Sequence, residues 1–156
     1  MRPTSETGNS GFTLVEILVV VAITGIILAV AAANLFPDER QLARRESGTL
    51  ALSIERSRDA AWFGGRPTAL AFGDGYLYAW QLRGSSWERD AVHEQRLDAS
   101  LHVTEIYVDG QALKSDQRLV FLPDGLGVPF RISLEVRGLP WAIEGDAAGA
   151  VTLSEG

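Results

Sequence analysis

Gly11-Phe12-Thr13-Leu14-Val15-Glu16 opens the stretch whose reading decides the fold, because almost everything after it is apolar. From Ile17 to Ala33 no residue is charged, and only Thr24 and Gly25 interrupt the Val, Ile, Leu and Ala. Read as one helix at ~1.5 Å per residue, Phe12 to Phe36 spans roughly 37 Å. The hydrocarbon of a bilayer is about 30 Å thick, so this helix crosses it with some tilt. A run apolar on every side does not suit the core of so small a soluble domain. A secretory signal peptide has a basic start and small residues after a short apolar region. Here Glu6 cancels Arg2, and the small residue, Gly11, stands before the run. A cut after Gly11 would keep the helix and place a new amine on Phe12. Glu16 then lies four residues on, on the same helical face. A carboxylate in hydrocarbon costs up to about 3 kcal/mol, so it calls for a partner, and that amine is one, in the same chain or a neighbour. A plain single-span anchor leaves Glu16 unexplained.

Working outward, the 156 residues carry a formal charge of -6, with Lys114 as the only lysine and no cysteine. Disulfides, thiolate chemistry and Cys-based metal sites are thereby excluded. The acidic balance argues against nucleic acid as a bulk partner, since phosphate binding needs a basic face. Pro37-Asp38-Glu39 suits a break or a fresh helix start. Beyond it Ala43, Ser47, Leu50, Ile54, Ser57 and Ala61 fall at helical spacing. They predict an amphipathic helix that Gly64-Gly65 ends and Pro67 keeps from resuming. The two helical stretches are expected to form one spine, bent near Pro37.

From Thr68 the period changes to two. Strands are expected at 68–72 and 76–82, joined by Gly73-Asp74-Gly75, and at 101–108, ending at Asp109-Gly110. Residues 118–122 and 130–136 read as a strand pair reversed at Pro123-Asp124-Gly125, with Pro129 opening the second strand from an edge position. Short strands at 141–143 and 150–153 close the list. The fold class is α+β: a long N-terminal helix, membrane half then amphipathic half, on a small antiparallel β-sandwich. The expected division is a leader at 1–11, a transmembrane helix at 12–36, its amphipathic continuation at 37–65 and a β domain at 66–156.

Chemistry is sparse. Asp90, His93, Glu94 and Asp98 offer ligand-type side chains, but their spacing fits no metal motif. His102 alternates with Leu101 and Val103 on a strand. Ser85 and Ser86 lack the setting of a nucleophile elbow, and no phosphate-cradling Gly-Lys-Ser/Thr loop is present. No enzyme, metal or cofactor is expected.

Gly11 to Glu16 followed by the apolar helix resembles the class III signal of type IV pilins and pseudopilins. That resemblance implies cleavage between Gly11 and Phe12 by the prepilin peptidase, N-methylation of Phe12 by the same enzyme, and alignment of the subunit through Glu16 during assembly. Ala33 stands where many pilins have a helix-kinking proline. Val120-Phe121-Leu122-Pro123-Asp124-Gly125, with Val128-Pro129-Phe130 after it, is similar to the C-terminal signature of minor pseudopilin H of the type II secretion system, a family that also includes the FimT-type minor pilins. The Gly65-Arg66-Pro67 turn leading into Leu70-Ala71-Phe72 resembles it too. Residues 83–96 read as a loop and match nothing in that family. The resemblance implies a type IV pilin-like structural subunit, single-pass in the inner membrane of a Gram-negative bacterium. Its C-terminal domain would be periplasmic and would sit at or near the tip of a pseudopilus for protein export. Other major and minor pseudopilins and the prepilin peptidase/methyltransferase are the implied partners. A FimT-like pilin that captures DNA is the alternative, and would use exposed arginines such as Arg83, Arg89, Arg96, Arg131 and Arg137.

Overall fold

The structure, a computed structural model, describes residues 13–35 and 38–156. The chain divides into two compact units, Met1–Asp38 and Glu39–Gly156. The first holds helix α1, Leu14–Leu35. Its large side chains from Leu14 to Val30 stand exposed on every side of the helix. The Thr24 hydroxyl donates to the Val20 carbonyl (2.8 Å), so the one polar side chain in the run is satisfied within its own helix. The expected bend at Pro37 and the helix end at Phe36 lie outside the described residues.

The second unit starts with α2, Glu39–Gly64. It buries Ala43, Ser47, Leu50, Ile54 and Ala61, the expected stripe except for Ser57. That residue is half-buried, and its carbonyl accepts the Thr68 hydroxyl (2.7 Å). Two bonds close the helix: Arg66 N–H donates to the Ala61 carbonyl (3.3 Å) and Gly65 N–H to that of Trp62 (3.4 Å). This reciprocal pair is the Schellman arrangement that satisfies the last carbonyls of a helix.

Ten strands follow: β1 Thr68–Gly73, β2 Tyr76–Arg83, β3 Ser86–Arg89, β4 Gln95–Arg96, β5 Leu101–Val108, β6 Gln111–Ala112, β7 Leu119–Phe121, β8 Phe130–Val136, β9 Leu139–Gly145 and β10 Val151–Glu155. One sheet has the order β3-β2-β1-β7, with β4 also on β2; the other has the order β10-β9-β8-β5-β6. All pairings are antiparallel. The β1–β2 hairpin turns at Asp74 (φ 52°) and Gly75 (φ 75°), the two positive φ values of a type I′ turn. Arg137 and Gly138 do the same between β8 and β9. α2 and both sheets feed one apolar cluster that includes Leu50, Ile54, Leu70, Leu77, Ile132 and Ile143.

Three expectations need correction. Pro123-Asp124-Gly125 is not a hairpin. β7 pairs with β1, whereas β8 pairs with β5 and β9, so the segment between them carries the chain from one sheet to the other. The alternating pattern marked both strands, but nothing local distinguishes a turn within a sheet from a crossing between two. For the same reason β8 is a central strand, and Pro129 stands just before it rather than on an edge. The Pro129 carbonyl accepts Asp109 N–H (2.8 Å), a bond that needs no proline donor. Third, the unmatched stretch 83–96 is not plain loop. It holds β3 and β4, in line along the open side of β2.

Candidate functional site

The residues singled out in the sequence fall into two groups, one in each unit. In the first, Thr13 and Glu16 bond reciprocally around the start of α1. Glu16 N–H donates to Thr13 Oγ1 (3.2 Å), and the Glu16 carboxylate accepts both Thr13 N–H (2.9 Å) and the Thr13 hydroxyl (3.1 Å). Threonine at the N-cap and glutamate three residues on is a capping box, which satisfies two of the four orphan donors of a helix start. An acid that looks misplaced in an apolar run is therefore hydrogen-bonded within its own chain, beside the positive end of the helix dipole. Gly11 and Phe12 lie outside the described residues.

In the second unit the C-terminal group is mainly architectural. Phe121 on β7 and Phe130 on β8 meet edge to face, centroids 6.1 Å apart, and join the two sheets. Phe130 lies so close over Gly145, its cross-strand partner, that a Cβ there would fall 2.0 Å from the ring. Asp124 Oδ1 accepts Leu126 N–H (3.0 Å), Gly125 takes φ 75°, and a Cβ on Gly125 would sit 3.8 Å from the Trp62 ring. The turn thus packs on the end of α2 and leaves Leu126 70% exposed.

The candidate metal residues are not assembled. Asp90 Oδ2 bonds His93 Nδ1 (2.8 Å), and Glu94 is held by both Nε and Nη2 of Arg89 (3.0 and 2.8 Å). Asp98 accepts the amide and hydroxyl of Ser100. Those bonds, helped by the charge of Arg137, hold the Asp98 carboxyl below its usual range. His102 lies across the ladder from Glu135. Among the described residues no three His, Asp or Glu side chains are placed to hold a metal ion.

Four of the five candidate arginines are committed as well. Arg89 also lies over the Tyr78 ring, 4.2 Å from its centroid. Arg83 pairs with Glu88 (3.5 Å) and Arg131 with Glu144. Arg137 reaches back to α2, bonding Glu46 (3.0 Å) and Glu39 (3.1 Å). Ser100 donates to the same Glu46 (2.9 Å). Spacing gave no sign of this α2 clamp, because its bonded partners lie 54 to 98 residues apart. The only hint was an arginine next to a turn glycine.

Residues 7–32 match the prokaryotic N-terminal methylation motif. No curated protein matches the chain significantly. Among the solved structures that share its fold are two of the minor pseudopilin EpsH from the type 2 secretion system of Vibrio cholerae. One has 18% identity and a TM-score of 0.54, covering 70% of this chain and 96% of that one. The other has 17% identity and a TM-score of 0.58, covering 72% and 95%. Among the described residues a single helix is long and apolar enough to span a bilayer, with mean hydropathy 2.8 over Leu14–Ala32. Lying within the residues that match the methylation motif, it fits single-pass anchoring of the β-rich unit. The chain therefore joins a prepilin-type N-terminal methylation motif to a body with the minor pseudopilin fold of EpsH.

Proposed function

We propose that this chain is a structural minor pseudopilin of a type II secretion system. The prepilin peptidase cuts it between Gly11 and Phe12 and methylates the new Phe12 amine. The helix 12–36 holds it in the inner membrane with the β domain in the periplasm. It then joins other pseudopilins at or near the tip of the pseudopilus and carries out no chemistry of its own. The observation that carries this reading is the methylation motif at residues 7–32 together with an EpsH-like body. The exposed apolar surface of α1 supports it, since such a surface needs lipid or neighbouring helices around it. Within the lone subunit Thr13 occupies the Glu16 carboxylate. In the filament a neighbour's N-terminal amine would take its place. The DNA-capture reading draws no support, because four of its five arginines already face a carboxylate.

The test is the intact mass of the protein from cells with and without an active prepilin peptidase. The expected result is loss of Met1–Gly11 and gain of one methyl group on Phe12 only when the peptidase is active. Identical, full-length masses from both strains would overturn the proposal.

A further inference from the structure

We propose that the open edge of β7 is a docking site for an extended segment of a partner protein. The segment would be apolar at its centre, basic at its ends, and would add to the sheet as one more strand. β7 is the terminal strand of its sheet, paired with β1 on one side only. An open edge presents unpaired N–H and C=O groups, and native proteins blunt such edges with charge. The opposite edge of the same sheet, β3, follows that rule with Glu88 and Arg89. The β7 edge does not: Leu119-Val120-Phe121-Leu122 has no charged residue. Arg118, the one neighbouring base, is turned onto the Trp80 ring, 4.1 Å from its centroid. Val120 and Leu122 are exposed, and the cross-sheet turn adds Leu126 to them.

Charge names the occupant. Asp116 and Asp124, one at either end of this neutral strip, are both exposed, and neither forms an ion pair among the described residues. A strand lying along β7 would place its own ends beside these carboxylates, so basic flanks are favoured and acidic ones repelled. Addition of an extended peptide to a sheet edge takes its affinity from main-chain bonds and its selectivity from alternate side chains. This inference concerns the β-rich unit and stands apart from the processing of the N-terminus.

The probe is a synthetic peptide of alternating valine and threonine with a lysine at each end, titrated against the full chain in detergent micelles. A peptide with glutamate in place of each lysine serves as the control. The expected result is binding of the lysine peptide, weakened by salt, with slowed hydrogen exchange at the edge-facing Val120 and Leu122 amides, since Leu119 and Phe121 already pair with β1. Affinity should fall about tenfold in the Asp116→Asn, Asp124→Asn double variant and fall further in Val120→Lys. These are changes of exposed side chains that leave the core intact. Failure of the lysine peptide to bind, equal affinity for the two peptides, or binding without protection of those amides would each overturn the proposal. So would occupation of the edge by a second copy, seen as a dimer that excludes the peptide.

Discussion

At the scale of single residues, the closest constraint in the β-rich unit is the one between Phe130 and Gly145. A methyl group at Gly145 would meet three ring atoms between 2.0 and 2.6 Å away, and both residues lie on central strands that cannot easily spread. Gly145→Ala should therefore cost about 3 kcal/mol, the upper range for overpacking a core. Denaturant unfolding checks this, and Phe130→Leu combined with Gly145→Ala should cost less than the sum of the two changes. The reverse case is Ser47. It is fully buried on the stripe of α2, and its hydroxyl has no hydrogen-bond partner among the described residues. An unsatisfied buried hydroxyl is costly, and alanine is the better helix former. Ser47→Ala should raise stability by about 1 kcal/mol, read as a higher denaturation midpoint; a loss would mean that the hydroxyl has a partner.

At the scale of elements, the start of α2 is fastened to the β8–β9 turn through Arg137, which sits at φ 53°. Two effects oppose each other there. The ion pairs to Glu39 and Glu46 are screened by solvent, so their contribution is small and falls with salt. The left-handed backbone costs a residue with a side chain about 1 kcal/mol relative to glycine. Arg137→Ala should lose the first without relieving the second, and be slightly destabilised, less so at high salt. Arg137→Gly should come out near neutral. Equal losses in both variants would show that the backbone is not strained. This is also where the sequence was least legible. Asp74-Gly75 and Asp109-Gly110 announce their turns, whereas Arg137-Gly138 does not, since arginine rarely accepts a positive φ. Helix α2 and the β1–β2 hairpin were readable because their signals are local. The path of β7 and β8 into different sheets was not, because it depends on which distant strands they meet. At the other end of the chain, Glu16→Val removes a charge from α1 and should leave membrane insertion intact. It also removes the group proposed to find a neighbour's amine, so incorporation into the filament should fall. Normal incorporation in a pull-down with the other subunits would rule out that role.

At the scale of the whole molecule, the division into two units has a consequence for stability. The core cluster of the β-rich unit runs from Ala43 on α2 to Val151 and Leu153 on β10, and it includes both sheets and the inner face of α2. The Arg137 clamp closes on Glu39 and Glu46, which lie within the same unit. Every apolar group needed to hold α2 on the sheets is thus supplied after residue 38, in a unit of 118 residues, a size at which a single core suffices. Helix α1 has a different solvent. Its apolar surface stands open and calls for lipid or other helices around it. A chain beginning at Glu39 should therefore melt within a few degrees of the full-length protein in detergent, with a single cooperative transition. It should stay in the aqueous phase on membrane fractionation, where the full chain goes with the lipid. A large fall in its melting temperature would mean that residues before Glu39 stabilise the β-rich unit. A truncated chain that still partitions with membranes would place part of the anchor beyond α1.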